Sequence, residues 1–391
     1  MGVTGVGSGL SIGKEVRTVS TASWATNVIT YTTSAAHGLG VGARVRVTGI
    51  SPSGYNGSYV TVTGTTGSTV KVANTTNPGA FSSGGSLYSI GMTTTPTRVL
   101  QLLPGETIDL DVAKIETPTL SGALLFQSAT SVRQGRKRVS GNTPLLLWNR
   151  GEALLTEAML GAIATTGSGP YTHTATPAKD LPSYTMQVSF GGTTDTIVKQ
   201  ATGMMVDSWE IALAAGENAT LGIDWVGKDM AFSTADALDG SVPTGLSAYT
   251  YIDGTVTVGG ASVGCVKNIT IAGANNLASD DQCLGSSVIS DQERGQFCEI
   301  TGNIDFELEK TDIGYLTDFV AGTQKTVVLT LANSPSSITI TFTMQWQTGI
   351  TPKVSGTEKL TVSGPFKAYV TSGNTDAQTF SIVSINADST P

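Results

Sequence analysis

Ser337-Ile-Thr-Ile-Thr-Phe-Thr-Met-Gln-Trp-Gln347 alternates without a break: Ile338, Ile340, Phe342, Met344 and Trp346 fall on one face of an extended chain, and Ser337, Thr339, Thr341, Thr343, Gln345 and Gln347 on the other. Successive side chains of a strand point to opposite faces, so this is the period of a half-buried strand. Ser183–Phe190 repeats the design, with Tyr184, Met186, Val188 and Phe190 opposite Ser183, Thr185, Gln187 and Ser189, and Leu221, Ile223 and Trp225 alternate likewise. The polar faces carry hydroxyls and amides with almost no charge, whereas a freely solvated face normally carries Lys and Glu. Such faces often meet another surface.

Helical signals are few. One helix is expected after Asn149, read as its N-cap, through Glu152, Leu154, Leu155 and Met159 to a stop at Gly161. A second is expected from Asp312 through Ile313, Leu316 and Phe319 to Gly322. The segments around the two helices overlay without a gap: Val139-Ser-Gly-Asn142 on Ile300-Thr-Gly-Asn303, and Leu155-Thr-Glu157 on Leu316-Thr-Asp318, at a constant spacing of 161 residues. After each helix a loop and an alternating strand are expected, Ser183–Phe190 and then Ser337–Gln347. This reads as a tandem duplication of one β-rich domain. Residues 20–88, crowded with Thr, Ser, Gly and Val, hold short strands near Val28–Thr32, Ala43–Thr48, Tyr59–Thr63 and Thr69–Ala73, separated by Gly-rich turns. The expected fold is mainly β: an N-terminal arm (1–17), a small all-β module (18–91), and two tandem β-sandwich or barrel domains (92–242 and 243–391), each with one short helix.

The chain has 391 residues, 47 of them Gly, and only 13 % are charged, against ~25 % in an average globular protein. Its 39 % hydrophobic residues suffice for real cores, which excludes disorder for most of it. A net charge of −8 repels a phosphate backbone, so an ordinary nucleic-acid binder is excluded. No apolar run approaches the ~20 residues of a membrane helix, and no membrane partner is expected. Cys265, Cys283 and Cys298 have no CxxC spacing and follow a start without signal-peptide character, so they read as reduced thiols. His37 and His173 are the only histidines, too few for a His-based triad or zinc site. Gly13-Lys14 departs from a phosphate-binding loop at Ser8 and Glu15. The acidic pairs Asp109/Asp111 and Glu307/Glu309 read as surface charge, and Trp209, Trp225 and Trp346 as core. No catalytic residue, metal or cofactor is expected.

Gly9-Leu-Ser-Ile-Gly-Lys-Glu15, then Thr95-Pro-Thr-Arg98, a Leu-rich strand and Ile115-Glu-Thr117, resembles the start of tail tube proteins of long-tailed bacteriophages. Val206-Asp-Ser-Trp-Glu-Ile211 followed by Ala219-Thr-Leu-Gly-Ile-Asp-Trp-Val-Gly-Lys228 resembles the end of that family's first domain. In the family the Gly-Lys-Glu and Thr-Pro-Thr-Arg pieces lie close together. Here about eighty residues separate them, so the β module looks like an insertion, itself similar to small β modules of phage virion proteins. The resemblance implies rings stacked into a hollow tube that conducts DNA, assembled in the host bacterial cytoplasm with tape measure, tail terminator and baseplate proteins as partners. A one-domain subunit needs six copies per ring. A duplicated one gives pseudo-hexameric rings of three, with six-chain rings as the alternative.

Two sets of residues are then expected to matter. Thr185, Gln187, Thr339, Thr341 and Thr343, on the uncharged strand faces, are candidates for the lumen, where hydroxyls let double-stranded DNA slide without specific binding; ordinary solvent is the other reading. Arg133, Arg136, Lys137 and Arg138 form a basic cluster in a loop, and Asp291 and Glu293 lie in the matching place of the second repeat. Pairing of the two between subunits would orient assembly. A competing reading is a modular adhesin or tail-fibre component whose inserted module binds host glycan through Trp24, Tyr55 and Tyr59.

Overall fold

A computed structural model describes residues 9–92, 94–117, 131–190, 197–234, 244–278, 282, 284–289, 291–354 and 359–391, the side chains of Tyr59 and Thr311 excepted. Strand β1 (Gly9–Lys14) runs almost directly into β2 (Val16–Ala25), β3 (Val28–Thr33), β4 (Arg44–Thr48), β5 (Gly57–Thr65), β6 (Thr69–Ala73) and β7 (Ser86–Tyr88). These last six close into a barrel in the order β2-β3-β6-β5-β4-β7. Their alternating Val, Ile and Tyr residues build a core of its own, around Ile29, Tyr31, Val45, Val47, Val62 and Val70. The chain then returns: β8 (Arg98–Leu100) pairs with β1, Ile12 opposite Arg98. Gly13 lies so close to Thr95-Pro96 that a Cβ there would stand 2.7 Å from the Thr95 carbonyl oxygen. The barrel is therefore inserted between two adjacent strands, joining the sequence pieces that eighty residues hold apart.

The rest of the chain is one strand pattern used twice. The first unit continues with β9 (Asp109–Glu116), β10 (Val132–Leu146), α1 (Glu152–Leu160), β11 (Gly161–Thr166), β12 (Tyr171–Pro177), β13 (Tyr184–Phe190), β14 (Ile197–Ala214), β15 (Thr220–Gly227) and β16 (Asp229–Ser233). The second comprises β17 (Gly254–Val258), β18 (Ala261–Ser262), β19 (Val266–Ala274), β20 (Glu299–Glu307), α2 (Ile313–Ala321), β21 (Lys325–Asn333), β22 (Ser336–Trp346), β23 (Thr361–Ala368), α3 (Asp376–Thr379) and β24 (Phe380–Asn386). In the first unit a rear sheet β8-β1-β13-β14-β16 faces a front sheet β9-β10-β15-β14. In the second, β18-β17-β21-β22-β24 faces β19-β20-β23-β22. β14 and β22 hold the same place, each shared between the sheets of its unit.

The helices occupy the expected register: Glu152 and Ile313 open them, Leu160 and Ala321 close them, both 161 residues apart. Each stops on a left-handed glycine, Gly161 (φ 108°) and Gly322 (φ 64°), a conformation that needs glycine. Asn149 is not the N-cap of α1. Gly151 holds that position, and the Asn149 side chain instead bonds Ser247 N and Gly245 O. Gly141 and Gly302, also 161 apart, are held by the same close approach: a Cβ would overlap the carbonyl oxygen of Thr107 at the first and of Thr270 at the second.

The strand expected to match differs. Ser183–Phe190 corresponds in topology to β21, and β22 to β14, because an extra hairpin, β11–β12, stands between α1 and β13 and ends the constant register. That hairpin leaves its own unit: β12 pairs with β24, His173 opposite Ser384. A second junction is the antiparallel pairing of β14 with β19. One hydrophobic core, from Leu10 to Ile382, runs through both units.

Candidate functional site

The pairing of β14 with β19 merges the two front sheets into one, β9-β10-β15-β14-β19-β20-β23. Its inner face is apolar: Leu145, Leu221, Ile223, Trp225, Trp209, Ile211, Ile271, Ile304, Phe306 and Phe366 are buried. Register fixes what lies on the other side. Asn142 is opposite Asp224, Asp224 opposite Ser208, and Ser208 opposite Ala274. Ala274 in turn is opposite Glu299, and Thr301 opposite Lys367. Asp109, Asp111, Glu210, Asp224 and Glu299 are exposed on this face, with Asp305 and Glu307 half-buried at its far side. Its centre is a trough lined by Asn142, Ser208, Glu210, Asp224, Glu299 and Thr301. Asp224 accepts hydrogen bonds from Asn142 (2.8 Å) and Ser208 (2.7 Å). Cations stand at both sides of this face: Arg138 lies opposite Asp111 on the β9–β10 side, and towards β20–β23 Lys367 bonds Glu299 (2.9 Å) while Lys267 and Lys359 share Glu307 (2.9 Å each). Their hydrogen bonds hold the Glu307 carboxyl below its usual range.

Sequence reasoning missed this face, although the signal was present in Glu299-x-Thr301-x-Asn303-x-Asp305-x-Glu307 and in Ser208-x-Glu210-x-Ala212. The uncharged faces it favoured are placed otherwise. Thr185 and Gln187 are buried within the single chain, at 0 % and 1 % exposure. The Thr185 hydroxyl bonds Glu15 and accepts from Thr94 N. Thr339, Thr341 and Thr343 are half-buried on the outward side of the second unit's rear sheet, opposite Thr330, Val328 and Thr326.

The basic cluster is not a loop. Arg133, Arg136, Lys137 and Arg138 lie on β10; Arg133, Lys137 and Arg138 pair with β9, and Arg136 sits in the bulge between Gln134 and Lys137, which breaks the alternation that would have marked a strand. Lys137 N bonds Ser287 O at 2.7 Å, so the cluster already meets the acidic segment's neighbourhood within one chain. Asp291 is 15 % exposed and ion-paired with Lys228, and Glu293 reaches Arg44 of the inserted barrel at 3.0 Å. Internal pairing thus occupies the acids expected to reach another subunit.

The barrel is tied to the body by the ion pairs Arg44–Glu293 and Arg46–Asp180 and, at the crossing itself, by one buried carboxylate. Glu15, 1 % exposed at the β1–β2 junction, accepts hydrogen bonds from Gly203 N (2.8 Å), Gly91 N (2.7 Å), Ser183 Oγ (2.7 Å) and Thr185 Oγ1 (3.2 Å). Gly91 lies at the barrel's exit and Glu15 at its entrance, so one carboxylate clamps both crossings. Burial raises its pKa, while these four bonds pull it back. Within the barrel, Tyr55 is buried with its hydroxyl on Gly79 O, contrary to the exposed aromatic expected, and half-buried Trp24 donates to Asn74 O; the Tyr59 side chain lies outside the described residues.

Both histidines are buried and occupied. His37 Nδ1 accepts from Leu39 N (3.0 Å), and His173 lies between Thr165 Oγ1 (2.9 Å) and Asp388 O (2.9 Å). At the tail, Asp388 binds Arg150, Arg98 and Gly151 N; burial opposes its ionisation, but the arginines outweigh it and hold its pKa low. Beside it the buried Glu152 carboxyl is pushed by burial to about 8. Cys265 and Cys298 are free thiols. Among the described residues no cluster of three or more His, Cys, Asp or Glu is placed to hold a metal ion, and no helix is long and apolar enough to cross a membrane.

Comparison with curated proteins gives no match. The family model described as phage tail tube protein matches residues 61–368, most of the chain and all of the front sheet from β9 to β23. The chain therefore belongs to the phage tail tube protein family and is a structural component of the virion tail.

Proposed function

We propose that three copies of this chain close into a ring of six equivalent units, that rings stack into the hollow tail tube, and that the merged front sheets form the wall of its channel. The observation that carries this reading is the front sheet itself, to which the two units contribute alike through the β14–β19 pairing. A ring that needs six such units is completed by three chains. The exposed side of the sheet suits a passage for DNA: Glu210, Asp224 and Glu299 repel phosphates, and the hydroxyl and amide groups between them offer no fixed cation to hold the backbone. The inserted barrel leaves from the rear sheet, between β1 and β8, and so stands on the outside of the tube. Assembly in the host cytoplasm and contacts with tape measure, terminator and baseplate proteins belong to the same reading. The role is structural rather than catalytic. Of the aromatics that the adhesin reading invokes, Tyr55 is committed to the barrel core.

Electron cryo-microscopy of tubes grown from purified chain tests this. The expected result is a sixfold-looking wall built from three chains, with three barrels outside. Six chains per ring, front sheets facing outward, or particles without a channel would each overturn it.

A further inference from the structure

A cleft of about 230 Å³ opens where three parts of the chain meet. Arg44 on β4 brings the inserted barrel to its wall, residues 179–181 and Met205 bring the first unit, and Leu277 with residues 292–294 brings the second. Leu181, Met205 and Leu277 form a small buried apolar cluster at this place. Around it two ion pairs are closed, Arg44 with Glu293 (3.0 Å) and Arg46 with Asp180 (3.1 Å). The remaining polar groups are not satisfied. Gln292 is 1 % exposed, and neither its Nε2 nor its Oε1 has a hydrogen-bond partner among the described residues. Arg294 is half-buried; its Nη1 and Nη2 donate to two neutral acceptors, Ala178 O and Asn275 Oδ1, and its Nε has no partner. Burial lowers the pKa of this guanidinium, and Cys298, Asp180 and Asp376 oppose that, the two carboxylates from beyond ion-pair distance. Lys179 is exposed and has no ion pair among the described residues. Burying a cation without a counter-charge, or an amide without partners, is costly. Here both border one cleft, beside a free lysine, in a chain whose net charge is −8.

We infer that this cleft binds inorganic phosphate, as the hydrogen phosphate ion. An oxyanion accepts from Gln292 Nε2, Arg294 Nε and Lys179 Nζ, and it supplies the counter-charge that Arg294 lacks. Gln292 Oε1 decides which oxyanion. It is an acceptor and calls for a donor, which hydrogen phosphate carries in its P–O–H and sulfate does not. A phosphodiester has no such hydrogen, so the site does not read a DNA backbone, and a phosphate monoester, with its second pKa near 6, has lost it above neutral pH. The site lies within one chain and does not depend on the ring reading. An ion held there is shared by the two units beside Arg44 of the barrel, so it stabilises the junction by mass action.

Calorimetric titration of the purified chain with inorganic phosphate, at pH 7.5 in a buffer free of other oxyanions, tests this. One saturable site is expected, with sulfate and dimethyl phosphate bound about tenfold more weakly, the cost of leaving a buried acceptor without its donor. Lys179→Ala, at an exposed position, should weaken phosphate about tenfold, as loss of a charge-assisted bond does. Gln292→Leu, checked for folding by its urea midpoint, should bring phosphate and sulfate to equal affinity. Absence of saturable phosphate binding to the folded chain would overturn the inference, as would an unchanged affinity in Lys179→Ala. Sulfate bound by the unmodified chain as tightly as phosphate would reduce the site to a pair of unselective cations. Tighter binding of phenyl phosphate would overturn the free ion as the ligand, in favour of an organic phosphate lying against Leu181, Met205 and Leu277.

Discussion

Replacing Glu210 and Glu299 by lysine should convert a face that repels DNA into one that holds it. Both side chains are exposed on the front sheet, and Glu299 also neutralises Lys367 at 2.9 Å. In a ring of three chains the double variant adds about six cations to the wall, before the freed Lys367 residues are counted. Each phosphate contact contributes roughly −0.9 to the slope of log affinity against log salt, so a duplex in the channel should show a slope of about −5, and its affinity should fall about 10³-fold from 50 to 200 mM salt. The assay is co-sedimentation of variant and unmodified tubes with a short linear duplex and with a closed circle, which cannot thread an open end. Retention of the linear duplex alone, steeply salt-dependent and only in the variant, is expected. Equal retention of the circle would put the face outside the tube, and no retention by intact variant tubes would refute the electrostatic argument.

Three further outcomes follow from the packing. Gly302→Ala forces a methyl against the Thr270 carbonyl and the Phe366 ring and should cost about 1–3 kcal/mol in urea unfolding, whereas Gly314→Ala on α2, with open space around it, should stabilise by roughly 0.5–1 kcal/mol. Glu15→Ala strands the Gly91 and Gly203 amides and should cost roughly 2–5 kcal/mol, with limited proteolysis cutting first at the barrel junctions; an unchanged cleavage pattern would deny Glu15 its clamping role. Glu152 has a pKa raised from 4.5 to about 8, so its contribution to stability is full below pH 4.5 and is lost as pH rises through 8, on the order of 5 kcal/mol. Glu152→Gln should therefore flatten the fall in stability between pH 5 and 9, and urea midpoints at pH 5, 7 and 9 that keep the original slope would count against it.

Much of the fold was legible because its signals are local. The alternation at Ser337–Gln347 reports a pleated strand, and the glycines at 141 and 302 report a backbone approach too close for a Cβ, so both copies keep them in one register. The inserted barrel was legible from its turns. The site was read less well, for a physical reason. An uncharged polar face was taken as the one exposed to a passage, yet Thr185 and Gln187 are uncharged on a strand face that is buried, where an unpaired charge would be prohibitive and the Thr185 hydroxyl is satisfied by Glu15. The exposed face carries the carboxylates instead. Which of two alternating polar faces meets solvent depends on a second sheet from elsewhere in the chain, and no periodicity encodes that. The basic run at Arg133–Arg138 was misplaced because a bulge hides a strand's period.

Among the described residues only the first unit carries the barrel, and only the first carries the β11–β12 hairpin that crosses to β24. Fusing the two units frees them to diverge, which six separate identical subunits could never do, since any ornament on one would appear on all. In the proposed ring of three chains every second position around the circumference would be left bare, giving a threefold-corrugated exterior in which a bulky domain would have twice the room it would find on a wall of six equals.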